Sequence, residues 1–166
     1  MSLIQVGIPS PNPDYPQKVE TVGSNINLFD KNNEYMFLKG IVPNNSGTIE
    51  IINTDITKSN YIITIIVPCK NNQTYAISRY LEGKTFYLYE SDKENLVVGD
   101  KVTFLKSIGN TGIIKEIITT SATAKYILLK IYNTYASELN DFEDLISSVK
   151  IEEGSVKTPY SPYRNG

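Results

Sequence analysis

The chain has 166 residues, of which 40 % are hydrophobic and 20 % charged, enough for one domain with a sizeable core. Its net charge of −2 supplies no basic field for nucleic acid, and no apolar run approaches the roughly 20 residues that cross a bilayer. Histidine is absent and Cys69 is the single cysteine, which excludes histidine acid–base chemistry, the common zinc sites and an internal disulfide.

Residues 1–24 are punctuated by Pro9, Pro11, Pro13 and Pro16. Proline at this density excludes helix and central strand, so an extended arm or a solvated linker is expected, with short edge strands allowed at 3–6 and 18–20. Met1-Ser2-Leu3 leads into polar sequence, and no secretion signal is read there. From Asn27 the pattern turns to β. Tyr35-Met36-Phe37-Leu38 precedes Gly40, Asn44-Asn45-Ser46-Gly47 is a turn cluster, and residues 48–53 alternate with Ile49 and Ile51 on one face. Residues 61–67 are almost continuously apolar, the pattern of a central strand covered on both sides.

Residues 74–81 alternate again, and Glu82-Gly83-Lys84 reads as a tight hairpin turn. The next strand sets Phe86 and Leu88 opposite Tyr87 and Tyr89, and a charged loop follows at 90–94. Strands are predicted at 102–105 and 113–118, separated by a turn at 109–112. In residues 125–132, Ile127, Leu129 and Ile131 share one face; Tyr126, Leu128, Lys130 and Tyr132 share the other. Leu139, Phe142, Leu145 and Ile146 recur at helical spacing, which predicts a short helix within 137–146. Val149 and Ile151 then alternate with Lys150 and Glu152, giving one apolar and one charged face. Gly154-Ser155 ends that strand. Pro159-Tyr160 and Pro162-Tyr163 make a stiff extended tail, suited to packing back along the sheet near the N-terminal arm.

Short strands divided by turn signals, with one minor helix, predict an all-β fold, an antiparallel two-sheet β-sandwich. Periodicity leaves jelly-roll and immunoglobulin-like connections both open. The expected organisation is an arm at 1–24 and a sandwich at 25–166.

Two motifs carry a resemblance. The chain closes on Ile151-Glu152-Glu153-Gly154-Ser155, then Thr158-Pro159-Tyr160-Ser161-Pro162-Tyr163. It opens on Gly7-Ile8-Pro9-Ser10-Pro11-Asn12-Pro13-Asp14-Tyr15-Pro16-Gln17, then Gly23 and Asn27-Leu28-Phe29-Asp30. With Ala124-Lys125-Tyr126-Ile127 between them, these resemble a β-sandwich module of phage and prophage tail proteins, similar to jelly-roll carbohydrate-binding modules. The resemblance spans nearly the whole chain. It implies a jelly roll, a virion-tail location (cytoplasmic before assembly), other tail subunits as partners, and host-surface glycan as a candidate ligand. It allows a homo-oligomer and implies no nucleic acid, no membrane insertion and no cofactor.

Carboxylates cluster at Asp141, Glu143 and Asp144 and at Glu152 and Glu153. A glycosidase needs two carboxyls about 5–10 Å apart across a cleft. Acidic residues adjacent in sequence on a short helix rather solvate it and favour its N-terminus, so no enzyme is expected. Asp92 and Glu94 lack the spacing of a calcium loop, and no metal is expected. Cys69, after Pro68, reads as a structural thiol. The twelve tyrosines are the remaining signal. A short turn would make the Arg79 strand the antiparallel neighbour of Tyr87 and Tyr89. Arg79, Tyr80, Tyr87, Tyr89, Tyr132, Asn133 and Tyr135 are therefore the candidate ligand-binding residues, on one partly exposed sheet surface. Packing between layers, or the residue bias of an AT-rich genome, explains the same tyrosines. Two functions remain: a non-enzymatic structural or adhesion module of a tail, or an accessory carbohydrate-binding domain of a wall-degrading enzyme.

Overall fold

A computed structural model describes residues 26–52, 61–79, 86–108, 114–133, 146–159 and 162. Among these the chain forms β1 Phe37–Lys39, β2 Ile41–Pro43, β3 Ile49–Ile51, β4 Tyr61–Pro68, β5 Thr74–Arg79, β6 Phe86–Ser91, β7 Thr103–Ile108, β8 Ile114–Thr119, β9 Tyr126–Asn133 and β10 Val149–Glu153. The strand pairs are antiparallel. A five-stranded sheet has the order β1-β4-β9-β6-β7, a three-stranded sheet the order β10-β5-β8, and β2-β3 form a separate ribbon.

Alternation explains how the two larger sheets pack. In β4 and β9 the register sets Ile63 beside Ile131, Ile65 beside Leu129 and Val67 beside Ile127. With Phe86 and Leu88 of β6, these side chains meet Tyr75, Ile77, Ile118, Val149 and Ile151 of the three-stranded sheet in one buried core, joined by Phe29 and Ile146. Each fully buried aliphatic or aromatic side chain there stabilises the fold by about 1.5–3 kcal/mol. The result is the β-sandwich that the strand pattern predicts.

The opposite face of the five-stranded sheet is covered as well. Ile66, Leu128 and Tyr89 lie beneath Ile49 and Val102 in a second apolar cluster. Gly40, at φ 73°, swings the chain off β1 and across the sheet. Thr64 Oγ1 donates to Ile41 O at 2.7 Å, and Lys130 Nζ to Pro43 O at 2.7 Å, pinning β2 in place. The ribbon is in turn bonded to the 97–102 segment, through Ile49 N to Asp100 O at 2.9 Å and Val102 N to Gly47 O at 2.8 Å. Burial on both faces is the physical reason for the nearly continuous apolar run of β4. The ribbon is short, however. Ile49 is buried while Ile51, on the same face by alternation, is 57 % exposed.

Gly47 joins the two parts of this cap. Its φ is +75°, and a Cβ would stand 2.6 Å from Val102 O. Gly47→Ala is expected to lower stability by about 2 kcal/mol, through left-handed strain and displacement of a backbone carbonyl. Urea denaturation checks this, and an unaltered midpoint would refute it.

Asn27 gives the 27–30 motif a structural meaning. Its Nδ2 donates to Val149 O at 3.0 Å, and its Oδ1 accepts from Phe29 N and Ile151 N, each at 3.1 Å. Leu28 N also donates to Ile151 O at 2.8 Å. One buried side chain thus does the work of a strand along the free edge of β10 and seats Phe29 in the core.

The charged face of β10 is buried. The alternation does place Lys150 and Glu152 on the face opposite Val149 and Ile151, yet that charged face is closed to solvent, both residues being 0 % exposed. The chain returns over them after Gly154. Lys150 Nζ donates to Thr158 Oγ1 at 2.5 Å and to Pro159 O at 2.8 Å. Glu152 accepts from Thr158 Oγ1 at 2.7 Å and from Thr158 N at 3.2 Å. Burial lowers the Lys150 pKa, and Glu152 opposes that shift.

The reading of 82–84 as a hairpin is corrected. β5 and β6 belong to different sheets, so they are not the two arms of a hairpin. Residues 80–85 themselves, the N-terminal arm, Asp141, Glu143, Asp144, Tyr160 and Tyr163 lie outside the described residues. So does the expected helix, except for Ile146, which is helical and buried.

Candidate functional site

The structure does not assemble the tyrosine–arginine patch expected from sequence. Tyr87 and Tyr89 do lie opposite Phe86 and Leu88, but the cap covers that face. Tyr89 is 5 % exposed and meets Phe104 edge to face at 5.5 Å. Burial raises its phenol pKa. Tyr87 is half-buried, with Lys130 Nζ 5.7 Å from its ring centre. Desolvation lowers the Lys130 pKa, and Glu50 opposes that shift.

Arg79 is in the other sheet. It follows Tyr75 and Ile77 on the inward face of β5, is 1 % exposed, and lays its guanidinium 4.7 Å from the Phe86 ring centre. It therefore packs between the layers and offers no outer surface to a ligand. Tyr132 and Asn133 pair with Ile62 and Tyr61 in β9, and only their backbone is described. Tyr80 and Tyr135 lie outside the described residues.

A different site forms at the cap's edge, on the outer side of the five-stranded sheet. One rim is the 30–36 loop, shaped by two Asx turns. Asp30 Oδ1 accepts from Asn32 N at 3.0 Å, and Asn33 Oδ1 from Tyr35 N at 2.9 Å. Met36 O then accepts from Ile66 N at 2.9 Å, which fastens the loop to β4. The loop holds up Tyr35, which is 80 % exposed. The other rim is Glu94-Asn95-Leu96. Asp100 fixes it, accepting from Lys93 Nζ at 2.6 Å and from Val97 N at 2.8 Å. Lys93 first, and the Val97 N–H second, hold the Asp100 carboxyl below the usual carboxylate range. Leu38, Ile66, Pro68 and the half-buried Tyr126 complete a cleft of about 390 Å³. That volume is within the range of small-ligand sites.

Tyr35, Asn33, Asn95 and Tyr126 combine aromatic faces with carboxamide groups on rims already ordered by hydrogen bonds. The sequence does carry a signal for Tyr35: an aromatic residue straight after Lys31-Asn32-Asn33-Glu34, in a segment of Asx-turn formers. A second cleft, about 400 Å³, lies beside the β1 edge and is charged in character, with Lys31, Glu34 and Lys39 around Phe37 and Ile146. Lys31 Nζ donates there to Ser147 Oγ at 2.8 Å.

Among the described residues, no group of three or more Cys, Asp or Glu side chains could hold a metal ion. Cys69 is half-buried, and its thiol is pushed up to about 11, by burial first and by Glu90 second. At pH 7.5 its alkylation by iodoacetamide is expected to be roughly two orders of magnitude slower than that of an ordinary thiol, because the thiolate is the reactive form. Rapid labelling of the folded protein at that pH would refute this.

No family model matches the chain, and comparison with curated proteins and with solved structures finds no match.

Proposed function

We propose that this chain is a non-enzymatic structural and adhesion module of a phage or prophage tail, and that it binds host-surface carbohydrate at the Tyr35–Tyr126 cleft. The supporting observation is Tyr35, 80 % exposed on a loop held by two Asx turns beside a cleft with carboxamides on both rims. A pyranose offers an apolar C–H face and a belt of hydroxyls. Tyrosine stacks on the first, and carboxamides bond the second. A rim ordered in advance lowers the entropy lost on binding.

The tail setting and the jelly-roll form rest on the resemblance of the opening and closing motifs. A non-catalytic role agrees with how the two buried carboxylates among the described residues are used: Glu90 accepts from Ser121 N at 3.1 Å, and Glu152 is occupied by Thr158. Glu153, beside Glu152 in sequence, instead pairs with Lys70 Nζ at 3.0 Å. Other tail subunits would be the partners, and several copies on one particle would turn weak single-site affinity into avidity.

Tyr35→Ala tests the reading. Retention on host wall polysaccharide is expected to weaken about tenfold or more, a loss of about 1.4 kcal/mol. The melting temperature should hold, because the ring is exposed. Wild-type retention by the variant would move adhesion away from this cleft.

A further inference from the structure

Resting on the carbohydrate reading, we infer that the Tyr35–Tyr126 cleft selects neutral oligosaccharides bearing N-acyl groups and rejects acidic glycans. Charge carries the first half. Among the described residues of the lining, Glu94 is the one ionic side chain, and none is a lysine or arginine. Lys125 Nζ stands 3.6 Å from Glu94 Oε1, but both side chains are more than half exposed, so the pair is screened and weak. Lys93, on the same rim, is committed to Asp100 at 2.6 Å. A uronate or phosphodiester in the cleft would meet the Glu94 carboxylate with no lysine or arginine among the described lining residues to offset it, and like charges at short range repel.

Shape and hydrogen-bond chemistry carry the second half. Asn33 has committed its Oδ1 to Tyr35 N, so it offers its amide N–H groups to an acceptor. Asn95 offers both a donor and an acceptor. An acetamido group presents one C=O and one N–H, which matches that pair. Its methyl group suits the apolar lining from Met36, Leu38 and Leu96. A plain glucan offers the same C–H face to Tyr35 and hydroxyls to the carboxamides but has no N-acyl methyl for the Met36, Leu38 and Leu96 surface, so part of the cleft's capacity goes unused.

The test is calorimetric titration of the full chain with chitotetraose, cellotetraose and tetragalacturonate. Chitotetraose should bind tightest. Tetragalacturonate should be about tenfold weaker or more, the factor that corresponds to 1.4 kcal/mol. Glu94→Gln should strengthen tetragalacturonate binding and so narrow that gap, and Tyr35→Ala should weaken chitotetraose about tenfold. Equal binding of cellotetraose and chitotetraose would overturn the N-acyl preference. Tyr35-dependent binding of tetragalacturonate as tight as that of chitotetraose would overturn the charge selection and leave the carbohydrate reading in place. Failure of all three to bind overturns the inference, and failure to be retained on host wall polysaccharide as well overturns the carbohydrate reading with it.

Discussion

Glu152→Ala is expected to destabilise the domain by about 3–5 kcal/mol, because it strands an ammonium ion inside the protein. Lys150 Nζ is 3.8 Å from Glu152 Oε2, and neither side chain reaches solvent. Without the carboxylate, Lys150 loses its counter-charge while keeping the Thr158 hydroxyl and the Pro159 carbonyl, and Thr158 loses the two carboxylate oxygens that accept from it. The pH dependence follows from sign. Burial already places the folded Lys150 pKa below its ordinary value of 10.5, with Glu152 resisting. In the variant it falls further. Between the folded and unfolded values the unfolded chain binds more protons, so stability rises with pH across that interval, and more steeply in the variant. Guanidinium denaturation at pH 7 and pH 9.5 measures both effects. Lys150→Met with Glu152→Leu should recover most of the loss, since an apolar pair of similar size removes the buried charge. A single variant as stable as wild type would mean that water reaches the pair.

Asn27→Ala is expected to cost about 3 kcal/mol, roughly 1 kcal/mol for each of the three backbone groups its carboxamide satisfies. Those groups are Val149 O, Phe29 N and Ile151 N, at the buried edge of β10. The loss should appear in equilibrium denaturation and as faster amide exchange at Phe29 and Ile151. A loss below about 0.5 kcal/mol, the size of an ordinary surface change, would contradict the role given to this side chain.

Strand faces were legible because a period of two is set by backbone geometry alone. Phe86 and Leu88 point inward, as do Ile127, Leu129 and Ile131, and the apolar run at 61–67 is a central strand. Sheet membership was not legible. A short polar segment with a glycine, such as 82–84, serves a hairpin or a crossing between layers equally well, and that choice moved Arg79 from an outer surface to the core. Alternation also equates a polar face with water. Lys150 and Glu152 break that equation because Thr158 and Pro159, several residues onward, supply their partners. Tyr89 is buried for a related reason: the cap arrives from residues 41–51 and 97–102, far away in sequence. The cleft combines segments near 33–36, 66–68, 94–96 and 126, a neighbourhood that no local pattern encodes.

The Asn27 contact also has a consequence for biosynthesis. Its partner Ile151 lies 124 residues downstream, and the Leu28 backbone bond reaches the same strand. At about 5–20 residues per second, roughly 6–25 s separate the synthesis of Asn27 from that of Ile151. During that time Phe29 and the edge it completes have no β10 to join. The Asn27–Phe29 segment must therefore wait on the ribosome for its partner, with Phe29 unable to seat against β10 until that strand has emerged.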